Sequence, residues 1–532
     1  MFQLDSVLEQ LGYSQSENYK RAVEVNSQTT HLFRGLKKTQ QIKGCYTFHT
    51  SRDDQVLPIR AAVYVAKADT EEEAREIHKQ LWNFNNAPFL IVVLPHQIRV
   101  YTGFEYSEKE KKKGEIRNPI ESLAEISQVL TSFFADSIDF GTIWQSDEAQ
   151  HLDPNKRVDS RLLENLKTLE NYLVTKENLQ QPIAQALIGK YIYIQYLRER
   201  DILSKQWLSE SNIDLDNVLG RNATVTELKK LVDRLEERFR GNIFPLPFKN
   251  SLSDVSVSIV ASIFKGDELY ITEKENKTLK QLHLDFKAYD FSYIPIETLS
   301  AIYEQFLHSQ GKGKQDGAIY TPEPVADYLI CEMNSVKRLE LGMKILDPCC
   351  GSGIFLVLVY RKLIEKALEK GDGKLEPFEL KNILVNNIYG VERNPEACYI
   401  TEFSLLLMML NYIELPELHK NEDFKFPSLH NKNIFVCDFF KNQSDFWQLN
   451  KSFDWIIGNP PWKEIKPKDT EEDCARDWIK DNLKDRPATG NRISEAFTWR
   501  VMDLLDADGL VGLVTPAMSL FNHESEKYTL NG

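Results

Sequence analysis

Apolar and polar positions follow different rhythms along the chain. Residues 59–68, IRAAVYVAKA, and 88–104, PFLIVVLPHQIRVYTGF, are runs of branched and aromatic residues that predict strands. Between them TEEEAREIHKQLWNF (70–84) has helical spacing, a Thr70 cap and an acidic first turn. From 136 to 290 the spacing of Leu, Val and Phe is mostly helical, as in SRLLENLKTLENYLVTKENL and ELKKLVDRLEERF. From 291 onward strands and helices alternate, the pattern of a doubly wound parallel sheet. Three regions follow: an α/β domain over 1–135, a helical domain over 136–290 and a second α/β domain over 291–532. Strands of the last are expected near 344–347, 387–391, 433–436, 454–458 and 510–514.

The polar residues that interrupt this last region carry the chemistry. MKILDPCCGSGIFLVLVYRKLIEKAL (343–368) reads as strand, turn and helix. Gly351 and Gly353 leave room for a ligand at the backbone, and the helix start offers N–H groups. It is neither G-x-G-x-x-G nor a P-loop, and alone such a turn occurs in many α/β folds. The next strand, in NNIYGVERNPEACYI, ends in Glu392, an acid placed to hold the ribose hydroxyls of a nucleoside. The intervening EKGDGKLEPFELKN reads as an inserted surface segment. A third strand, KNIFVCDFF, ends in Asp438, able to accept from an adenine amine, with Phe439 able to pack on its ring. A fourth, FDWIIGNPPWKEI (453–465), stops at Gly458 and turns through Asn459, Pro460, Pro461 and Trp462. Prolines cannot continue a sheet, so this core strand ends in a rigid turn with an amide and a large ring. Consecutive strands with such C-terminal ends place ligand chemistry where open α/β sheets bind ligands.

Composition narrows the partners. With 532 residues, 42% hydrophobic and 27% charged, the chain reads as globular and multidomain. The first residues, MFQLDSVLEQLGYSQ, lack a signal-peptide pattern. The most apolar stretch, CYITEFSLLLMMLNYI (398–413), is a core helix rather than a membrane span. Seven cysteines form no C-x-x-C and no Cys/His cluster, so no metal site and reduced thiols in a cytoplasm are expected. A net charge of −14 argues against coating nucleic acid by bulk electrostatics, so such contacts should be local.

Taken together, DPCCGSGIFL and NPPW resemble the motifs of adenine-specific (amino-N6) DNA methyltransferases of restriction–modification systems, above all type I modification subunits and fused type IIG enzymes. GAIYTPEPVADYLI (317–330) resembles the Tyr-Thr-Pro segment of that family, IETLSAIYEQFL (296–307) the helix before it, and residues 491–520 the helix and strand after the catalytic turn. The resemblance implies a Rossmann-like fold binding S-adenosyl-L-methionine (AdoMet). Its binding residues would be Tyr320, Thr321, Pro322, Asp347, Pro348, Gly351, Gly353, Phe355, Glu392, Asp438 and Phe439. It implies that Asn459 and Pro460 accept from the target amine, that Pro461 rigidifies the turn and that Trp462 stacks on a flipped adenine. Partners would be double-stranded DNA and a specificity or restriction subunit, with no membrane.

The chain stops at SLFNHESEKYTLNG, before the hairpin and DNA-reading domain the family carries, so a truncated or split protein is expected. Type IIG enzymes place a nuclease at the N-terminus. Here Lys67 ends a strand and Asp53 and Asp54 precede it, but Val65 stands where a metal-binding carboxylate belongs. A degenerate nuclease-like or interaction domain is expected. The alternatives are a non-catalytic DNA-binding or assembly subunit, and an N-methyltransferase of RNA or of protein amides, since these also present a planar amine.

Overall fold

The computed structural model describes the chain except residues 1, 25–28, 37–39, 49–58, 240–243, 249–250, 268, 276–277, 285, 308–320, 372–373, 415–417, 419–423, 450, 465–473, 483, 487–491, 518 and 520–532. Tyr320, Asp53 and Asp54 lie outside the described residues. Two units form: residues 1–232 with 246–298, and residues 233–245 with 299–532.

The first unit holds β1 (Tyr19–Arg21), β2 (Ile42–Thr47), β3 (Ala61–Lys67), β4 (Phe89–Val93) and β5 (Ile98–Thr102), ordered β1-β2-β3-β4-β5. Only β3 and β4 run parallel, because helix Glu71–Phe84 carries the chain back between them. Thr70 caps that helix by accepting from Glu73 N at 3.1 Å, and Asn85 ends it in a left-handed conformation. Both faces of β3 are buried, so it reads as a continuous apolar run rather than an alternation. Val63 and Val65 pack with Phe89 and Ile91 on one face, and Tyr64 and Ala66 with Leu90 and Val92 on the other. In the lysine-rich stretch EKEKKKGEIR (108–117), Lys113 lies 3.5 Å from both Glu105 and Glu110. Helix Val158–Thr175 follows, as its spacing predicts, and then helix Gln181–Glu199, buried over most of its surface. The stretch read as mostly helical also forms a hairpin, β6 (Leu269–Glu275) with β7 (Thr278–Leu284).

The second unit is built on β8 (Ile345–Asp347), β9 (Ile388–Glu392), β10 (Ile434–Val436), β11 (Phe453–Gly458) and β12 (Leu505–Leu513). The order β10-β9-β8-β11-β12 is parallel throughout. The chain moves outward from β8 to β10 and then returns to the other side of β8. The strand order therefore reverses between β8 and β11, and a crevice opens at the C-terminal ends there. Helix Ile354–Lys370 covers the sheet with Phe355, Leu356, Val357 and Leu358 buried, and helix Pro395–Tyr412 is buried on nearly every side.

Two expectations change. The supposed surface insertion ends in the first six residues of helix Pro377–Asn387, started by Pro377 and a Glu376–Glu379 capping box, with Leu380 and Leu384 fully buried. Also, β12 begins at Leu505 rather than at 510. The Asp506–Gly509 stretch reads as a turn, but Leu505 pairs with Phe453 across a register shift and the acids sit on an exposed edge strand.

Candidate active site

Asp347 ends β8 and Gly458 ends β11, side by side in the reversal of strand order. A Cβ on Gly458 would lie 2.7 Å from Asp347 Oδ1, so the carboxylate fills the space a side chain would need. Beyond Asp347 the chain turns through Pro348 to Gly353, which caps helix Ile354–Lys370 at φ +87°. There a Cβ would meet Thr401 Cγ2 at 2.7 Å, so only glycine serves at this position. Thr401 Oγ1 donates to Gly351 O at 2.7 Å and fixes the turn from the side of helix Pro395–Tyr412.

The turn borders a cavity of about 380 Å³, within the range of small-molecule sites. Thr321, Asp347, Pro348, Gly351, Phe355, Glu392, Asp438, Phe439, Asn459 and Pro461 all line it, from four strand ends and the segment before helix Glu323–Val336. Pro322, Gly353, Pro460 and Trp462 do not line it. Gly353 acts from behind as the cap. Trp462 is exposed, and its Nε1 donates to Val514 O at 3.2 Å.

The cavity is acidic: four carboxylates line it against the basic Arg393 and Lys463. Asp347 is 1% exposed; its Oδ1 accepts from Cys349 N at 3.0 Å, and its Oδ2 has no partner among the described residues. Burial, with Glu392 and Glu304 nearby, pushes its carboxyl up to about 8. Glu392 accepts from Gly351 N at 3.1 Å and from Asn394 N at 2.8 Å, so it ties the ends of β8 and β9 together. Burial raises its carboxyl too, against the pull of those donors. Asp438 Oδ1 accepts from Phe440 N at 2.8 Å. The Phe439 ring is buried and stacks on Phe497 at 5.1 Å and 7°, so one of its faces is already covered.

Asn459 Nδ2 donates to Thr321 Oγ1 at 3.0 Å. That bond turns the amide nitrogen toward Thr321 and its oxygen to the opposite side. It also joins the Asn459–Trp462 turn to a segment 138 residues earlier.

Glu304, on helix Ile296–Leu307, lines the cavity and was not expected there. Its Oε2 accepts from Ser352 Oγ at 2.6 Å, and burial beside Glu392 pushes its carboxyl up to about 7. In the sequence it shares a helix face with Glu297 and Ser300, which gave it no distinguishing mark.

Residues 295–529 match the N-6 DNA Methylase family. The match covers a little under half of the chain. The Type II methyltransferase M.VspI of Vibrio sp. (strain 343) is 29% identical over 276 residues, 49% of this chain and 54% of that protein. The Type I restriction enzyme EcoEI methylase subunit of Escherichia coli is 25% identical over 294 residues, 54% of this chain and 51% of that one. The chain thus spans about half the length of these two relatives. Among solved structures, a type I restriction-modification methyltransferase subunit from Streptococcus thermophilus aligns over 70% of this chain and 78% of its own, at 13% identity and TM-score 0.39. The cavity, Asp347, Glu392 and Asn459 all fall within the matched residues.

Proposed function

We propose that the methylase domain transfers a methyl group from AdoMet to N6 of adenine in double-stranded DNA, as part of a restriction–modification system with a specificity or restriction subunit as partner. The observation that carries this reading is the Thr321–Asn459 bond inside the acidic cavity, which couples the proposed donor site to the proposed amine site.

The residues present fit AdoMet. A cavity with more carboxylates than basic groups, one of them a buried Asp347 oxygen with no partner among the described residues, suits a cationic ligand rich in N–H and O–H donors. Asp347, Glu392 and Asp438 would hold it, with Gly351 allowing close approach and Phe355 and Phe439 supplying apolar walls. Bound there, AdoMet supplies an electrophilic methyl group on a sulfonium.

The chain's own part is to present the amine. An exocyclic amine on an aromatic ring is a weak nucleophile because its lone pair is delocalised. Asn459 Oδ1 and Pro460 O would accept its N–H groups and stabilise the positive charge that develops at N6. Pro460 and Pro461 keep these oxygens in place before substrate arrives. Trp462 would offer a ring face to the flipped base.

The test is transfer of labelled methyl from AdoMet to duplex DNA, tRNA and protein, with the chain alone and with its partner subunit. Label in the N6 position of DNA adenine is expected. Label in tRNA or protein instead would favour the other amine substrates, and AdoMet binding with no transfer to any of them would favour an assembly role. For the first unit we propose an interaction domain related to nucleases but without hydrolysis, on the buried Val65 at the place of a carboxylate.

A further inference from the structure

We propose that Glu304 receives the α-ammonium group of the methyl donor, a binding role supplied by a helix outside the sheet; this rests on reading the cavity as the donor site. Two hydrogen bonds tie this helix to the glycine turn, one of them through the carboxylate. Ser352 Oγ donates to its Oε2 at 2.6 Å, and Ser300 Oγ, one turn earlier on the same helix, donates to Ser352 O at 3.0 Å. Its Oε1 lies 3.3 Å from where a Cβ on Gly351 would stand, so the group faces the residue that lines the cavity. Among the described residues Glu304 makes no ion pair with Lys, Arg or His. Glu392, the charged group that acts on it, is of like sign. A half-buried carboxylate that makes no ion pair is costly unless a ligand brings a cation to it. The adenine and ribose of the donor are neutral. Its sulfonium is cationic but has no N–H. The ammonium is the group with both a positive charge and three donors.

The experiment is isothermal titration of the 532-residue chain with S-adenosylhomocysteine and with its analogue bearing hydrogen in place of the α-amino group. The wild-type chain should prefer the amino ligand by roughly tenfold or more, the scale of a hydrogen bond to a charged group. Glu304→Gln keeps an acceptor for Ser352 but removes the charge. It should reduce that preference to about twofold or less while leaving affinity for the deaminated ligand near the wild-type value. Ser352→Ala, which removes the tether but not the charge, should retain the preference. Equal loss of both ligands in Glu304→Gln would overturn the inference, since that is what a purely structural role gives. So would a preference lost in Ser352→Ala as fully as in Glu304→Gln. If the wild-type chain binds neither ligand, the donor-site reading itself fails and the inference with it.

Discussion

At the scale of single residues, the catalytic reading depends on the orientation of one amide. Thr321 holds Asn459 by its nitrogen. Asn459→Ala should therefore keep AdoMet binding and lower methyl transfer by ~10²-fold or more, as when a preorganised polar group is removed. Thr321→Val should lower transfer more mildly, by about five- to tenfold, the worth of one hydrogen bond. Single-turnover rates beside calorimetric affinities check both, and Asn459→Ala losing affinity but not rate would invert the assignment. The buried acids add a pH dependence. Glu304 and Asp347 hold protons up to about 7 and 8, above the ordinary carboxylate range, so a cationic ligand meets neutral acids at pH 6 and charged ones at pH 8.5. AdoMet affinity should rise with pH across that window, while affinity for the uncharged 5′-methylthioadenosine changes little. The stability these groups contribute to the unliganded fold is present below the ordinary carboxylate range and lost as pH rises through about 7 and 8. Thermal shift by AdoMet should consequently be largest at the alkaline end.

At the scale of elements, the junction of β8 and β11 is the tightest point. Gly458→Ala would place a methyl group 2.7 Å from Asp347 Oδ1 and displace the carboxylate. We expect a loss of about 1–3 kcal/mol in urea unfolding, typical of overpacking, together with weaker AdoMet binding. A variant as stable as wild type with full affinity would show that the strand end has room to adjust. This junction also marks what the sequence made legible. The parallel strands are short, apolar on both faces and closed by polar residues, so their ends, and with them Asp347, Glu392, Asp438 and Asn459, stand out without a partner strand being known. Elements whose identity depends on tertiary context were harder. In the hairpin of β6 and β7, Glu273, Lys274, Glu275 and Lys280 gather at the turn end and break the apolar alternation that marks a half-buried strand. Helix Pro377–Asn387 follows a polar, glycine-containing stretch that masked its start. Glu304 escaped notice because its approach to Ser352 spans 48 residues and joins two motifs that look unrelated in sequence.

At the scale of the whole molecule, the chemistry proposed for the chain is confined to the second unit, which leaves the role of the first to be argued from its own sheet. Among the described residues, no helix is long and apolar enough to cross a membrane. In β3 both Val63 and Val65 are fully buried, packed with Phe89 and Ile91, and the exposed Lys67 follows at the strand end. A hydrolytic site would need a carboxylate on the same face as that lysine, two residues before it, to hold a divalent cation beside the scissile phosphate. The position is instead part of an apolar core, where an unpaired charge would be strongly destabilising. Supercoiled plasmid incubated with the chain and Mg²⁺ or Mn²⁺ should therefore remain supercoiled, and Lys67→Ala should behave identically. Metal-dependent nicking that Lys67→Ala abolishes would instead establish a nuclease whose acids come from elsewhere in the chain, and would make this protein a cutter as well as a proposed modifier of DNA.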